Sequence, residues 1–374
     1  MALGFAPNLL QHMKVVAQNN YQGMKITPLN FLKMLIENNP SLNITKGGET
    51  INPLKRSTLA GHIRDIKLKY LPRALASQVE ELDDCDNNIM YHYTEQDITT
   101  PRFVKTSLFL DWQFVEKYQA EASQAVALGT VPAMGALQEL QDQIMHSVNA
   151  LISKMDTQLM ADVVWGTNAV SGNNAVTTLN IDNDSTNFDL STGIAQMLYE
   201  AKFNELFGDV LIAGSGNMQK FELLKGSNAI ALAQNGVNLA SLQGYRFYWD
   251  INAATSWGTN QVGVFGKGNI GFVDIDRYIA WKTGEFGTST FGTIELPVET
   301  TTGVPKFVRF NIQIKEIDCP TEIYNGYGTV TSDRGYQVII TKRYGLWQLP
   351  TDSVQATDRL TGVNGALRFA ITNT

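Results

Sequence analysis

The chain has 374 residues, a charged fraction of 17% and a formal net charge of -7 at pH 7. Its length allows two or three domains, and its 44% of hydrophobic residues is enough to build real cores. The acidic balance argues against a dedicated nucleic-acid binder, which needs a basic footprint. A charged fraction below the usual ~25% indicates that much of the surface meets protein rather than water.

Targeting and cysteine signals are weak. The N-terminal sequence MALGFAPNLLQHMK lacks the early positive charge and the apolar run of a signal peptide. No stretch approaches the ~20 apolar residues that a membrane span needs. Cys85 and Cys319 fit no metal or redox spacing, so we expect two free thiols in a reducing compartment. These signals predict a soluble product made in the cytoplasm.

Residues 1–50 are predicted to form an N-terminal arm. Short helical patterns cover residues 8–19 and 28–38, and the second starts at Pro28 and places apolar side chains on one face. The residues of that face are Phe31, Leu32, Leu35 and Ile36. Neither helix is long enough to hold a core alone, so both should pack on another domain or subunit.

Residues 51–100 form a charge-segregated segment. Its basic part contains Lys55, Arg56, Arg64, Lys67, Lys69 and Arg73. Its acidic part contains Glu80, Glu81, Asp83, Asp84 and Asp86. Polar and apolar residues alternate over 62–70, which with a second strand over 89–93 predicts a long two-stranded hairpin. Two interpretations are open: a solvated loop, or a tongue whose basic residues contact a neighbouring subunit.

Residues 101–207 are predicted to be helix-rich. A strand over 103–115 precedes a helix over 116–128 and a much longer helix over about 133–165, roughly 50 Å at 1.5 Å per residue. Apolar residues recur there at steps of three and four, the period of one helix face. They are Leu137, Leu140, Ile144, Val148, Leu151, Met155, Leu159 and Val163. A polar hairpin or loop over 166–185 and a helix over 192–207 follow.

From residue 208 onward the pattern predicts a separate α+β domain. The segment GDVLIAGSGNMQKFELLKG has the pattern of a buried strand, a Gly turn and a short helix. NLASLQGYRFYWDIN and TNQVGVFGKGNIGFVDI are predicted to form strands joined by tight turns, and FVRFNIQIKEI and GYQVIITKRYGLWQL are two further strands.

The sequence carries few motifs of catalysis or ligand binding. Residues 266–271 match G-x-G-x-x-G by letter, but a strand pattern follows where a dinucleotide site needs a helix, so we predict a hairpin turn. The four histidines are scattered, no G-x-S-x-G elbow occurs, and the calcium-loop start at Asp182 lacks its Gly and closing Glu. No pair of carboxylates stands out. We therefore predict no enzymatic activity, no catalytic residues, no metal and no cofactor.

The order of these elements resembles the major capsid proteins of tailed bacteriophages, the Hong Kong 97-like fold. In that α+β fold an N-arm precedes an E-loop hairpin, a P-domain with a spine helix, and an A-domain. The resemblance assigns 1–50 to the N-arm, 51–100 to the E-loop and 101–207 to the P-domain with its spine over 133–165. It assigns 208–336 to the A-domain and 337–374 to a C-terminal segment that returns to the P-domain and A-domain.

The resemblance implies a structural protein of the virion, assembled in the host cytoplasm. Its partners would be copies of itself in hexamers and pentamers, together with scaffolding, portal and minor capsid or cement proteins. It would enclose double-stranded DNA without sequence-specific binding and without a membrane. The six basic residues from Lys55 to Arg73 are the candidate inter-subunit contact.

The sequence is also consistent with two alternatives. One is an encapsulin-like compartment, which shares the fold but encloses cargo enzymes. The other is a secreted β-rich binding or adhesion protein, suggested by the Asn, Thr and Gly content and six Trp. The second would need an export signal and would have little use for the long helix.

Overall fold

A computed structural model describes the fold for part of the chain. The described residues are 9–10, 30–37, 44–46, 49–51, 67–70, 94–97, 102–128, 135–166, 177–181, 197, 210–215, 245–267, 269–275, 284–286, 289–298, 306–317, 321–324, 329–332, 335–348 and 365–373. The chain divides into two compact units. Unit 1 comprises Met1–Pro28, Arg102–Met155 and Asp274–Tyr344, and unit 2 comprises Leu29–Pro101, Asp156–Val273 and Gly345–Thr374.

Helices and strands alternate irregularly along the described segments, as in an α+β protein. The helices are α1 (Asn30–Glu37), α2 (Trp112–Leu128), α3 (Gly135–Ala161) and α4 (Ala253–Ser256). The first eight strands are β1 (Ile44–Lys46), β2 (Glu49–Ile51), β3 (Lys67–Tyr70), β4 (Thr94–Asp97), β5 (Arg102–Asp111), β6 (Thr177–Ile181), β7 (Val210–Gly214) and β8 (Tyr245–Trp249). The others are β9 (Gln261–Gly266), β10 (Ile270–Ile275), β11 (Gly284–Phe286), β12 (Ser289–Val298), β13 (Lys306–Ile317), β14 (Thr321–Tyr324), β15 (Thr329–Ser332), β16 (Gly335–Gln348) and β17 (Ala366–Asn373).

The larger sheet has the strand order β10-β16-β13-β12-β11, and β5 also pairs with β16. Within unit 1 the pairings β11–β12, β12–β13, β13–β16 and β16–β5 are all antiparallel. Along β13 the buried residues alternate with more exposed ones, as expected when one face of an antiparallel strand meets a core. The buried residues of β13 are Val308, Phe310, Ile312 and Ile314.

The second sheet lies in unit 2 and has the order β6-β17-β9-β7-β8. β17 pairs parallel to β6 and antiparallel to β9, while β7 pairs antiparallel to β9 and parallel to β8. All five residues of β7 are buried, because this strand has neighbours on both edges and is covered on both faces. The C-terminal strand is therefore an interior member of this sheet.

The long helix α3 has 27 residues, which is roughly 40 Å at 1.5 Å per residue. The helix starts at residue 135, two residues later than predicted, and ends at residue 161, four residues earlier than predicted. The predicted length was therefore too great. Beyond it, the Val164 N–H donates to Gln348 Oε1 at 2.9 Å and the Gln348 side-chain amide donates to the Val164 carbonyl. The Gln348 side chain at the end of β16 thus hydrogen-bonds to both main-chain groups of Val164. The helix therefore cannot continue through Val164.

The apolar face predicted for this helix is buried. Its buried members are Leu140, Ile144, Val148, Leu151, Met155 and Leu159, and Val163 just beyond the helix is buried as well. The side chain of Leu137 lies outside the described part. The four apolar residues predicted on one face of α1, from Phe31 to Ile36, are also buried.

The boundary between β5 and α2 differs from the prediction. The predicted strand 103–115 ends at Asp111, and residues 112–115 begin the helix instead. Asp111 Oδ1 accepts a hydrogen bond from the Phe114 N–H at 2.7 Å, which is the contact of a helix N-cap. The strand propensity of Trp112, Phe114 and Val115 is overridden by this capping bond.

The described residues of the glycine-rich segment 266–271 turn between two strands, but they do not form the predicted hairpin. The Asn269 N–H donates to the Gly266 carbonyl at 3.0 Å, and strands flank the turn on both sides. These strands, β9 and β10, belong to different sheets. The segment opens no helix, so it lacks the helix N-terminus that would bind a pyrophosphate.

Other predicted elements are only partly described. The predicted polar hairpin or loop over 166–185 contains β6, which pairs with β17. Of the predicted helices, only residues 9–10 of segment 8–19 and residue 197 of segment 192–207 are described, each as helical. The predicted strand over 89–93, both cysteines and the calcium-like start at Asp182 lie outside the described residues.

Candidate functional site

The charged segment contributes a two-stranded antiparallel pair to unit 2. β3 pairs with β4, with Lys67 opposite Asp97 and Lys69 opposite Glu95. Of the six basic residues predicted to contact a neighbouring subunit, these two lysines are therefore placed on one strand. The other four, Lys55, Arg56, Arg64 and Arg73, lie outside the described residues.

This register sets each described lysine opposite a carboxylate residue of the same chain. Opposite charges at directly facing positions of an antiparallel pair contribute roughly 0.2–1 kcal/mol. A two-stranded ribbon is marginal in water without further packing. The backbone register thus places Lys67 and Lys69 at positions that face Asp97 and Glu95.

A second cluster was not predicted: two buried carboxyls at the N-terminus of α1. Asp156 is fully buried and Asp250 is 2% exposed. Asp156 Oδ1 accepts from the Leu32 N–H at 2.8 Å, and Asp250 Oδ2 accepts from the Phe31 N–H at 2.9 Å. The first amides of a helix have no partner inside the helix, so the two carboxyls satisfy donors that would otherwise be unpaired.

The two carboxyls also hydrogen-bond to each other, and Asn252 completes the cluster. The Asn252 main-chain N–H donates to Asp250 Oδ1 at 2.8 Å, and its side-chain amide donates to Asp156 Oδ2 at 3.2 Å. Asp250 thus accepts main-chain N–H groups with both oxygens. Asp156 is consequently the better carrier of a proton shared by the pair.

Burial is the main cause that raises the pKa of Asp156 to about 8, and the charge of Asp250 raises it further. Hydrogen bonds from Leu32 and Asn252 act in the opposite direction. Burial also raises the pKa of Asp250, against the lowering effect of the Phe31, Asn252 and Asn30 main-chain groups. Both shifts favour protonation of the pair, and negative charge on either carboxyl faces the positive end of the α1 dipole.

Aromatic side chains pack around the buried start of α1. The Phe31 ring lies edge-on to Trp257, with 5.3 Å between ring centroids, and Trp165 meets Trp257 at the same separation. Phe265 lies against both Phe31 and Trp165. The Trp257 Nε1–H donates to the Met160 carbonyl at 2.9 Å, so the ring's polar atom is satisfied at the end of α3.

The carboxyl cluster has only a weak signal in the sequence. Asp156 occupies the same row of α3 as Ile152 and Met160, both of which are buried, and this marks it as a polar residue on an apolar face. Nothing in the sequence places Asp250 beside it, because the contact joins distant parts of the chain. The sequence prediction therefore missed this pair, because no local pattern links the two residues.

In the part of the chain that the structure describes, no group of three or more His, Cys, Asp or Glu residues could hold a metal ion. His146 is the one described histidine and is exposed. None of the described helices combines the length and apolar character that crossing a bilayer requires. The carboxyl pair accepts hydrogen bonds from the first turn of α1 and so satisfies main-chain donors at that helix end.

Comparisons with known proteins give only distant likenesses. No family model and no curated protein matches the chain. The chain is similar to a solved structure from Mycobacterium phage Adephagia, with 12% identity, 84% of this chain and 87% of that chain covered, and a TM-score of 0.44. It is similar to the capsid of cyanophage P-SCSP1u, with 11% identity, 88% and 93% covered, and a TM-score of 0.36. It is also similar to a virus-like particle from Pyrococcus furiosus, with 6% identity, 97% and 96% covered, and a TM-score of 0.35.

Proposed function

We propose that this chain is a capsid-type shell protein with the Hong Kong 97-like fold. The single observation that carries the proposal is the 27-residue helix α3 set among sheets. Average helices have ~11–12 residues, so α3 is more than twice the usual length. A rigid strut of this kind suits a subunit that tiles a surface, whereas a compact enzyme rarely needs one.

The element order of the described segments is compatible with this proposal. A helix in the segment assigned to the arm precedes the charged paired strands β3 and β4, then strand β5, helix α3 and a sheet-rich remainder. The low charged fraction of 17% fits a surface that meets other protein. The role is structural, not enzymatic.

We further propose that the shell is that of a virus. Copies of the chain form hexamers and pentamers that close into an icosahedral particle around double-stranded DNA. A net charge of -7 suits a container whose wall should not bind its contents tightly. Scaffolding, portal and cement proteins are the expected partners, and the virion is the expected location.

Sedimentation of the purified full chain, followed by nuclease treatment and extraction of any protected nucleic acid, tests this function. A megadalton species is expected, either alone or after co-expression with a scaffolding protein from the same genome. Protected double-stranded DNA in particles from infected cells would support the viral form. Particles that instead retain a cargo enzyme would favour the encapsulin-like alternative. A stable monomer under all these conditions would contradict both.

A further inference from the structure

The buried carboxyl pair has a geometry that couples a proton to the attachment of α1. Asp156 and Asp250 together accept hydrogen bonds from the main-chain N–H groups of the first α1 residues, Asn30, Phe31 and Leu32. The Asn30 side-chain amide also donates to the Trp249 carbonyl. Both carboxyls are almost fully buried, so a second negative charge there could be hydrated only if α1 moved.

We propose that the Asp156–Asp250 pair is a proton-dependent fastening for α1. With one shared proton, the pair carries a single charge and holds the first turn of the helix. When that proton leaves, two carboxylates face each other in a dry site, and α1 opens from unit 2 to admit water. The proposal concerns the folded chain itself and does not require the proposed shell function.

The other charged groups around the pair are few. Charged or titratable side chains on the neighbouring described segments include Lys33 and Glu37 on α1, Lys154 and Asp162 at the end of α3, and Arg246 and Tyr248 on β8. Arg368 on β17 donates to the Trp257 carbonyl at 2.7 Å in the adjoining aromatic cluster. Glu37 accepts a hydrogen bond from the Tyr248 hydroxyl at 3.3 Å. Burial and the charge of Asp250 are what raise the pKa of Asp156, so the pair itself sets the response to pH.

The direction of the pH effect follows from proton linkage. Below about pH 4 the Asp156 carboxyl is protonated whether α1 is closed or open. Between that pH and the folded pKa of about 8, the closed state keeps a proton that the open state has lost. The equilibrium constant for opening therefore rises up to roughly tenfold per pH unit across this range and then levels off.

Hydrogen exchange of the full-length chain measures this opening. Amide exchange in peptides that cover residues 30–37 is followed by mass spectrometry from pH 6 to pH 9.5 and corrected for the intrinsic exchange rate. In the wild type we expect the protection of these amides to fall by about tenfold or more between pH 6 and pH 8 and to change little above pH 9. Protection that stays constant over this range would overturn the proposal.

Two variants separate the pair from general effects of pH. Asp156→Asn keeps an oxygen for the Leu32 N–H and a donor toward Asp250, although it loses the acceptor of the Asn252 side-chain amide. It cannot titrate, so its exchange should lose the pH dependence. Asp111→Asn changes an exposed capping carboxylate in unit 1 and should show the wild-type pH dependence. An unchanged pH dependence in Asp156→Asn would overturn the proposal.

A measurement on the wild type alone covers the case in which Asp156→Asn fails to fold. The infrared spectrum should contain the C=O absorption of a buried neutral carboxyl at pH 6 and should lose it by pH 9.5. If no neutral carboxyl is present at pH 6, the pair shares no proton and the proposal is wrong. Shell formation plays no part in either readout, so a failure here leaves the proposed function standing.

Discussion

At the scale of single residues, one buried lysine has identifiable partners for its ammonium group. Lys342 is 1% exposed in the middle of β16. Its Nζ donates to the Arg309 carbonyl at 2.6 Å and lies 5.7 Å from the centroid of the Phe310 ring. A lysine charge can stay in such a place because a carbonyl oxygen and an aromatic face replace part of its water.

The Asp111 cap gives a prediction at this scale. Asp111→Ala removes the acceptor of the Phe114 N–H and should lower the free energy of unfolding by about 1 kcal/mol. Asp111→Asn is the matched control, because it retains a side-chain oxygen at the cap and should stay within about 0.5 kcal/mol of the wild type. Urea denaturation followed by circular dichroism measures both. Equal stability of the Ala variant and the wild type would show that the cap does not stabilise α2.

At the scale of elements, α3 combines a long apolar face with a buried carboxyl near its end. Leu151 lies in the described middle of that face and is 4% exposed. Its main-chain N–H belongs to the interior of the helix. A proline there has no N–H to donate, and its ring clashes with the carbonyl of the preceding turn. This position therefore tests the helix as a single rigid element.

Leu151→Pro should destabilise the subunit by about 3 kcal/mol or more and prevent its accumulation in soluble form. Leu151→Met, which conserves volume and leaves the main chain intact, should cost less than about 1.5 kcal/mol. Soluble yield and thermal unfolding by circular dichroism distinguish the two. Wild-type stability in the proline variant would mean that α3 is not continuous through this position.

The β3–β4 pair supports a charge-exchange prediction. Lys67→Glu places two carboxylates at facing register positions and should weaken the pairing by about 0.2–1 kcal/mol. Adding Asp97→Lys restores opposite charges within the chain. If Lys67 stabilises the β3–β4 pairing through the facing Asp97, the double variant should regain the wild-type protection from limited proteolysis near residues 67–97.

The same variants test the predicted inter-subunit role of the basic residues. If Lys67 contacts a carboxylate on a neighbouring subunit, Lys67→Glu should impair assembly and Asp97→Lys should not rescue it. High salt should weaken that wild-type contact in the same direction. Particle yield by electron microscopy, beside circular dichroism of the free subunit, is the measurement. Normal particles from Lys67→Glu would show that Lys67 makes no contact that assembly needs.

How far the sequence predicts these elements depends on how local their causes are. The three-and-four spacing from Leu140 to Leu159 predicted the buried face of α3, since periodicity is a property of neighbouring residues. The start of α2 was missed because one capping bond from Asp111 outweighed the strand propensity of the residues after it. The turn after Gly266 was predicted, but its two strands enter different sheets. The sheet that each strand joins depends on partners that are distant in sequence. The contact between Asp156 and Asp250 depends on distant residues in the same way.

At the scale of the whole molecule, each unit is assembled from segments far apart in sequence. Unit 1 and unit 2 each contain three separate stretches of the chain. The C-terminal strand β17 lies between β6 and β9 in the sheet of unit 2. Each unit therefore depends on contacts between segments that are distant in sequence.

Electron microscopy of the purified chain shows whether its copies close into a shell. The chain should be expressed alone and with a scaffolding protein from the same genome, at matched concentrations, and imaged after gel filtration. We expect closed particles with five-fold and six-fold rings of subunits in at least one of the two preparations. Dispersed subunits of about 41 kDa in both, with circular dichroism that shows them to be folded, would contradict the assignment as a shell protein.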